Sequence, residues 1–289
     1  MRRAVLMLGL AVLAAVVPLP AAGGSGVDAP RQELASPAVE PSGASFTLGG
    51  VPCQLIPVPA AEPAPVGVGT CPGVRPGGRV QSEVGLCTFN FLFRAPDGAR
   101  YIGTAGHCII GSGPVGKDGG EKVWPAGQGP EAQDADGKRI GEFAYAVLQD
   151  PKDFSLIRLD QGVEASPEMC YFGGPTGLFE SDTADPVVLE YYGNGVAVGS
   201  VLPARSGVAF GTPSPDHVYA AGLALPGDSG SGVISSDGLA VGALVTTGLH
   251  GFGFSEKGVD FGTMGITRLA PQLARASELL GVPLTLVTV

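Results

Sequence analysis

Four turn dipeptides, Asp97-Gly98, Asp136-Gly137, Asn194-Gly195 and Asp237-Gly238, cut this chain into short apolar runs from Gln81 onward. Such pairs suit two-residue hairpin turns, where both central positions take positive φ. The runs between them read as strands: Thr88 to Phe93, Tyr101 to Thr104, Ile140 to Leu148, Phe154 to Leu159 and Val187 to Tyr192. Val196 to Leu202, His217 to Ala221, Gly232 to Ile234 and Ala240 to Thr247 continue the series. Pro271 to Leu280 alone reads as a helix, with Leu273, Leu279 and Leu280 on one side and Gly281 as its stop. Many short strands and one late helix predict an all-β barrel or sandwich. The 47 glycines and 26 prolines, about a quarter of 289 residues, are too many breakers for a helical bundle. No internal repeat of fixed period is present.

The first 80 residues have a different texture. Arg2 and Arg3 precede an unbroken run of apolar and small residues from Ala4 to Val17, and Ala21, Ala22 and Gly23 follow. A basic start, a short apolar run and small residues at its end form an export signal, expected over 1–22. The run stops at Pro18, short of the roughly 20 residues that a membrane span needs. Residues 23–80 are rich in Gly and Pro and hold too little apolar surface to offset their ordering entropy. They are expected to be a leader or linker, with a propeptide as the sharper alternative. The packed domain is expected over 81–289.

Seventeen basic and 27 acidic residues leave a net charge of −10, which offers no basic face to replace phosphate counterions. A nucleic-acid partner and a polybasic membrane anchor are therefore not expected. Five cysteines, Cys53, Cys71, Cys87, Cys108 and Cys170, suit an oxidising compartment. None has zinc-ligand spacing, so no metal site is expected. The odd count leaves at least one cysteine unpaired or paired between molecules.

Three segments carry chemistry. Thr104-Ala105-Gly106-His107-Cys108 follows an apolar strand, Asp153 opens the run Phe154-Ser155-Leu156-Ile157-Arg158-Leu159, and Pro226-Gly227-Asp228-Ser229-Gly230-Ser231-Gly232 forms a glycine-rich turn. Nucleophilic acyl transfer needs a hydroxyl beside an imidazole base, and a carboxylate that fixes the imidazole tautomer. Ser229, His107 and Asp153 supply those groups, while the backbone N–H groups of Gly227 and Ser229 are candidates to face an oxyanion. His217 and His250 read as structural or exposed. Gly111 to Asp118 has phosphate-loop spacing but ends in Asp, and Pro114 removes a donor, so it reads as a surface loop. An α/β-hydrolase is disfavoured because Ser229 lacks a glycine two residues on and His107 precedes it.

The boxes Thr104–Cys108, Asp153–Leu159 and Gly227–Gly230, in that order, resemble those of the chymotrypsin-like serine endopeptidases, especially the secreted bacterial branch. The resemblance spans Gln81 to Leu280. It implies two six-stranded antiparallel β-barrels, about 81–162 and 163–268, a helix over 271–280, and a triad of His107, Asp153 and Ser229 between the barrels. It also implies a Cys87–Cys108 disulfide behind the histidine; Cys53–Cys71 is a candidate second bond, leaving Cys170 free. The implied activity is peptide-bond hydrolysis through an acyl-enzyme, by a secreted monomer with a polypeptide substrate and no cofactor.

The chain also departs from the family pattern. Ser231-Gly232 stands where Gly-Pro is usual, and no animal-type activation site is present, so Asp228 needs an internal partner, with Arg205 the candidate. The strand expected beside the substrate lacks the usual Ser-Trp-Gly, leaving Thr246 or Thr247 to contact Asp153. A binding module with weak or lost turnover is the alternative these departures leave open. Six positions before Ser229, at the expected base of the primary pocket, stands Leu223. A cationic side chain there would be buried unpaired, so uncharged, apolar residues are expected at the cleaved bond. Glu256 and Asp260 are the alternative sources of a carboxylate, and His250 of a group favouring acidic substrates.

Overall fold

Antiparallel pairing carries nearly all of the architecture. The computed structural model describes residues 71–111, 119–149, 151–181, 186–195, 202–209, 214–247 and 263–289, and apart from these a hairpin, β1 (Ser45–Leu48) and β2 (Val51–Gln54). The first group of strands is β3 (Arg79–Gln81), β4 (Leu86–Thr88), β5 (Leu92–Arg94) and β6 (Arg100–Thr104). A single turn of helix, α1 (His107–Ile110), leads to β7 (Gly120–Val123), β8 (Glu131–Gln133), β9 (Arg139–Gln149) and β10 (Lys152–Leu159).

β4 and β5 are two ends of one bent strand. Phe89 N–H donates to Gly78 C=O at 2.8 Å, extending the pairing with β3, while Asn90 N–H donates to Gly103 C=O at 2.8 Å, extending the pairing with β6. The path β6–β10–β9–β8–β3 then returns to β4 and closes a six-stranded barrel, with β7 lying beside the far half of β9. The second group is β11 (Gly177–Leu178), β12 (Val187–Tyr192), β13 (Ala204–Ala209), β14 (His217–Gly222), β15 (Gly232–Ser235), β16 (Leu239–Thr247) and β17 (Thr263–Arg268). It runs β16–β15–β12–β13–β14–β17, and the β16–β17 pairing closes that ring too, with β11 added parallel to β16.

Side-chain alternation on each strand feeds different cores. Phe89, Ile102, Phe143 and Ile157 share one cluster, and Leu189, Tyr191, Val233, Leu244 and Ile266 share another. Their strand neighbours Tyr192 and Ile234 point the other way, into a third cluster with Phe93, Phe154, Leu269 and Leu273. That third cluster joins the two barrels under α2 (Leu269–Leu280), which buries Leu269, Gln272, Leu273 and Ala276. The helix starts two residues before the expected Pro271, because proline in a first turn sacrifices an N–H that has no helical acceptor. It stops at Gly281, whose φ of 66° closes the end through a bond to Glu278 C=O. Beyond it, β18 (Thr285–Leu286) pairs with β5 of the first barrel, an element the sequence did not announce.

Three of the four turn dipeptides do join adjacent paired strands, with Gly98, Gly137 and Gly238 at φ of 86°, 75° and 83°. Asn194-Gly195 does not: β12 ends at Tyr192 and β13 begins only at Ala204, with those two residues paired. The strand expected over Val196 to Leu202 lies outside the described residues up to position 201, and Leu202 precedes β13 without joining it. The packed body also begins earlier than composition suggests. Cys71, Val74 and Val80 are buried, and β3 starts at Arg79, so residues 71–80 belong with the first barrel. A disulfide supplies what apolar burial does not: Cys71 is bonded to Cys170. That bond replaces both the Cys53–Cys71 pairing and the free Cys170 expected from sequence. Cys87 is bonded to Cys108.

Candidate active site

β6 ends at Thr104, and the turn through Ala105 and Gly106 delivers His107 to the start of α1. Asp153 is the second residue of β10, which pairs with β6 from Ser155 onward. Ser155 Oγ donates to Ala105 C=O at 2.8 Å, tying the two segments together. Asp153 then holds His107 twice. Its Oδ1 accepts the His107 backbone N–H at 2.9 Å, and its Oδ2 lies 2.7 Å from Nδ1 of the ring. A carboxylate there selects the tautomer with hydrogen on Nδ1 and leaves Nε2 as the acceptor. Burial opposes protonation of His107 most strongly, but the charge and hydrogen bond of Asp153 together outweigh it and raise the pKa above the ordinary 6.5.

The Ser229 turn is built from the second barrel. Asp228 is fully buried and accepts four donors: Arg205 Nη1 and Nη2, each at 2.5 Å, Gly195 N–H at 2.6 Å and Leu225 N–H at 2.8 Å. Arg205 is thus the internal partner that Asp228 needs, and its guanidinium lies over the Tyr191 ring, 4.9 Å from the centroid. Gly227 has a φ of 100° and Gly230 a φ of 87°. At Gly230 a β-carbon would press on Thr88 C=O, Thr104 Oγ1 and Ala105 N, so only glycine lets the turn meet the strand end that carries His107. Thr88 N–H also donates to Ser229 C=O at 2.8 Å, and Thr88 follows Cys87, whose disulfide partner Cys108 follows His107. Among the described residues no group accepts a hydrogen bond from the Gly227 or Ser229 N–H.

The remaining sequence candidates fall as follows. Leu223 is 48% exposed, while its carbonyl accepts from Tyr191 Oη and, at 3.4 Å, from Arg205 Nη1. His217 is buried, packed against the Tyr219 ring, with Nδ1 3.3 Å from Pro151 C=O. The side chains of Thr246 and Thr247, and residues 248–262 with His250, Glu256 and Asp260, lie outside the described residues, as does 112–118. Cys87, His107 and Cys108 bring potential metal donors within 4.8 Å of one another, but the sulfurs are bonded to each other and offer no thiolate. Two residues at the site escaped sequence reading, Thr88 and Asn194. The only signal for Asn194 was the Asn-Gly pair, which reads as a hairpin turn.

Neither a family model nor a curated protein matches the chain. Solved structures do. A Nocardiopsis protease is 20% identical, aligning 74% of this chain with 98% of its own at a TM-score of 0.48. A glutamic acid-specific serine protease is 16% identical over 73% of this chain and 100% of its own, with a TM-score of 0.47. A Cellulomonas bogoriensis chymotrypsin is 18% identical over 74% and 99%, with a TM-score of 0.45. Two closed six-stranded antiparallel barrels, one carrying the His107–Asp153 pair and the other the Ser229 turn, make this a chymotrypsin-like fold.

Proposed function

We propose that the chain is a secreted serine endopeptidase using Ser229 as nucleophile, His107 as base and Asp153 as the group that orients it. The observation that carries this reading is the double grip of Asp153 on His107, at 2.9 Å to its backbone and 2.7 Å to its ring. Nε2 of His107 removes the proton from Ser229 Oγ as that oxygen attacks the scissile carbonyl carbon. The N–H groups of Gly227 and Ser229 receive the charge that develops on the carbonyl oxygen. The imidazolium, stabilised by Asp153, gives its proton to the leaving amine, and the C–N bond breaks to leave an acyl ester on Ser229. Water, deprotonated by the same imidazole, then attacks the ester carbon; the bond to Ser229 Oγ breaks, the imidazolium returns its proton to that oxygen, and the carboxylic acid product leaves.

Export is part of the proposal. It rests on the apolar run behind Arg2 and Arg3 and on two disulfides, which persist in oxidising compartments. No helix among the described residues is long and apolar enough to cross a membrane. Leu223, open to solvent on a fixed backbone, is proposed to line the primary pocket and to favour apolar side chains. A fluorophosphonate probe tests the mechanism. The expected result is one adduct, on Ser229, lost in His107→Ala and accompanied by loss of peptide hydrolysis. An unlabelled Ser229 in folded, peptide-cleaving protein would overturn it.

A further inference from the structure

Thr88 lies at the end of β4 in the first barrel and has no solvent exposure. Its hydroxyl donates to Gly227 C=O at 2.8 Å and accepts from Asn194 Nδ2 at 3.1 Å and from Asn194 N–H at 3.3 Å. A hydroxyl has one hydrogen and two lone pairs, so this one is fully used. The Thr88 backbone N–H donates to Ser229 C=O at 2.8 Å. One residue therefore holds the two carbonyls that flank Asp228. Asn194, beyond β12 of the second barrel, completes the clasp by donating from Nδ2 to Gly77 C=O at 2.9 Å. Its own carbonyl lies so close to Gly227 that a β-carbon there would come within 2.8 Å.

The oxyanion turn needs something that Arg205 does not supply. The ion pair fixes the side chain of Asp228, but Gly227 has no side chain, and its φ of 100° is open to rotation about the following bond. A Gly227 carbonyl held from the first barrel removes that freedom, since the same peptide group is held at its other end by the Asp228 N–H donating to Leu225 C=O at 2.9 Å. Building on the serine-protease reading above, we propose that Thr88 and Asn194 are positioning residues for the oxyanion turn. They hold the peptide groups that follow Gly227 and Ser229 against β4, and so fix the α-carbons from which the N–H groups of both residues project toward the reacting carbonyl. Neither side chain touches substrate. Both act through Gly227.

The test uses Thr88→Val, Thr88→Ser and Asn194→Ala in the full chain. Thr88→Val keeps the branched shape and deletes the hydroxyl. Removing one oxyanion donor outright costs roughly 10²–10³ in kcat, so loosening the turn should cost about 10- to 100-fold with KM changed by less than about threefold. Thr88→Ser should stay within about threefold of the parent, and Asn194→Ala should lose about three- to tenfold. The second readout needs no turnover: the Gly227 amide resonance in 15N-glycine-labelled protein. It should be single in the parent and Thr88→Ser, and doubled or broadened in Thr88→Val.

A Thr88→Val protein with parental kcat well below its melting temperature, or with an unchanged Gly227 resonance, overturns the proposal. So does failure of Thr88→Ser to restore kcat. Should Thr88→Val not fold, the same two measurements on Asn194→Ala decide the question. If the parent itself proves inactive, the protease reading fails separately, and the Gly227 resonance still decides whether the clasp orders the turn.

Discussion

Two carboxylate–cation pairs flank the site, and they are built to opposite ends. His107–Asp153 leaves the imidazole side chain 30% exposed and the carboxylate 11%, whereas Arg205–Asp228 leaves 6% and 0%. The first cation can lose its proton near neutral pH. The second never does, because a guanidinium stays charged in any folded protein. On the proposed reading one pair is therefore a device for moving a proton, and the other is a fixed strut under the turn that presents Ser229. A buried pair of this kind is held by its geometry and its full set of donors rather than by net Coulombic gain. Asp228 with four donors meets that condition.

The largest expected effect breaks the proton-moving side. Ser229→Ala should lower kcat by about 10⁵–10⁶ on a peptide ester, and Asp153→Asn by about 10⁴, because an amide favours the wrong imidazole tautomer. Stopped assays at enzyme concentrations high enough to see the residual rate check both. Breaking the strut should act on folding instead. Arg205→Met leaves the Asp228 carboxylate buried without its counter-charge and should cost about 3–5 kcal/mol, read as a fall in the urea midpoint.

Leu223 sharpens the contrast, since its carbonyl is tied to the strut while its side chain is open. Leu223→Ala should cut kcat/KM for substrates with Leu or Phe at the cleaved bond by roughly 10-fold while leaving the urea midpoint nearly unchanged. A peptide library varied at that position reads it, and dominant cleavage after Lys or Arg would contradict the pocket assignment.

The smallest effect is a matter of pH. His107 must be neutral to act as base, and its pKa is raised, so the acid limb of kcat/KM should lie above pH 6.5. Stability runs the other way. A raised pKa means that the His107–Asp153 attraction contributes fully below the unfolded value near 6.5 and fades as pH rises through the folded one. In Asp153→Asn the two opposing influences separate: only burial remains, and the acid limb should move below 6.5. A pH–rate profile of the residual activity checks this.

Much of the candidate site was legible because its residues lie in contiguous boxes. Thr104 to Cys108 and Gly227 to Gly230 could be read without knowing any pairing. Asp153 needed only the apolar strand after it. Thr88 and Asn194 could not be found this way, since their roles exist only when two barrels meet. Asn194-Gly195 even carried a local signal that pointed elsewhere: it looks like a hairpin, yet Gly195 donates to Asp228 and Asn194 bridges to Gly77. The Cys87–Cys108 bond was expected from the resemblance and is present, but the pairing of Cys71 fails for a related reason. Cys71 lies in a Gly- and Pro-rich stretch with little apolar surface, and the partner that fixes it is 99 residues away.

β18 makes the order of events along the chain matter. Thr285 meets Arg94 at a separation of 191 positions, so the barrel that is translated first acquires one of its flanking strands from residues made after the whole of the second barrel. Contacts of such sequence separation form late, because the intervening loop must first be closed. A chain threaded across a membrane from its N-terminus would therefore emerge with β5 uncovered on that edge until residue 285 had followed it. On the proposed export route β18 thus acts as a timer, withholding the finished form of the first barrel until the whole of the second has followed it.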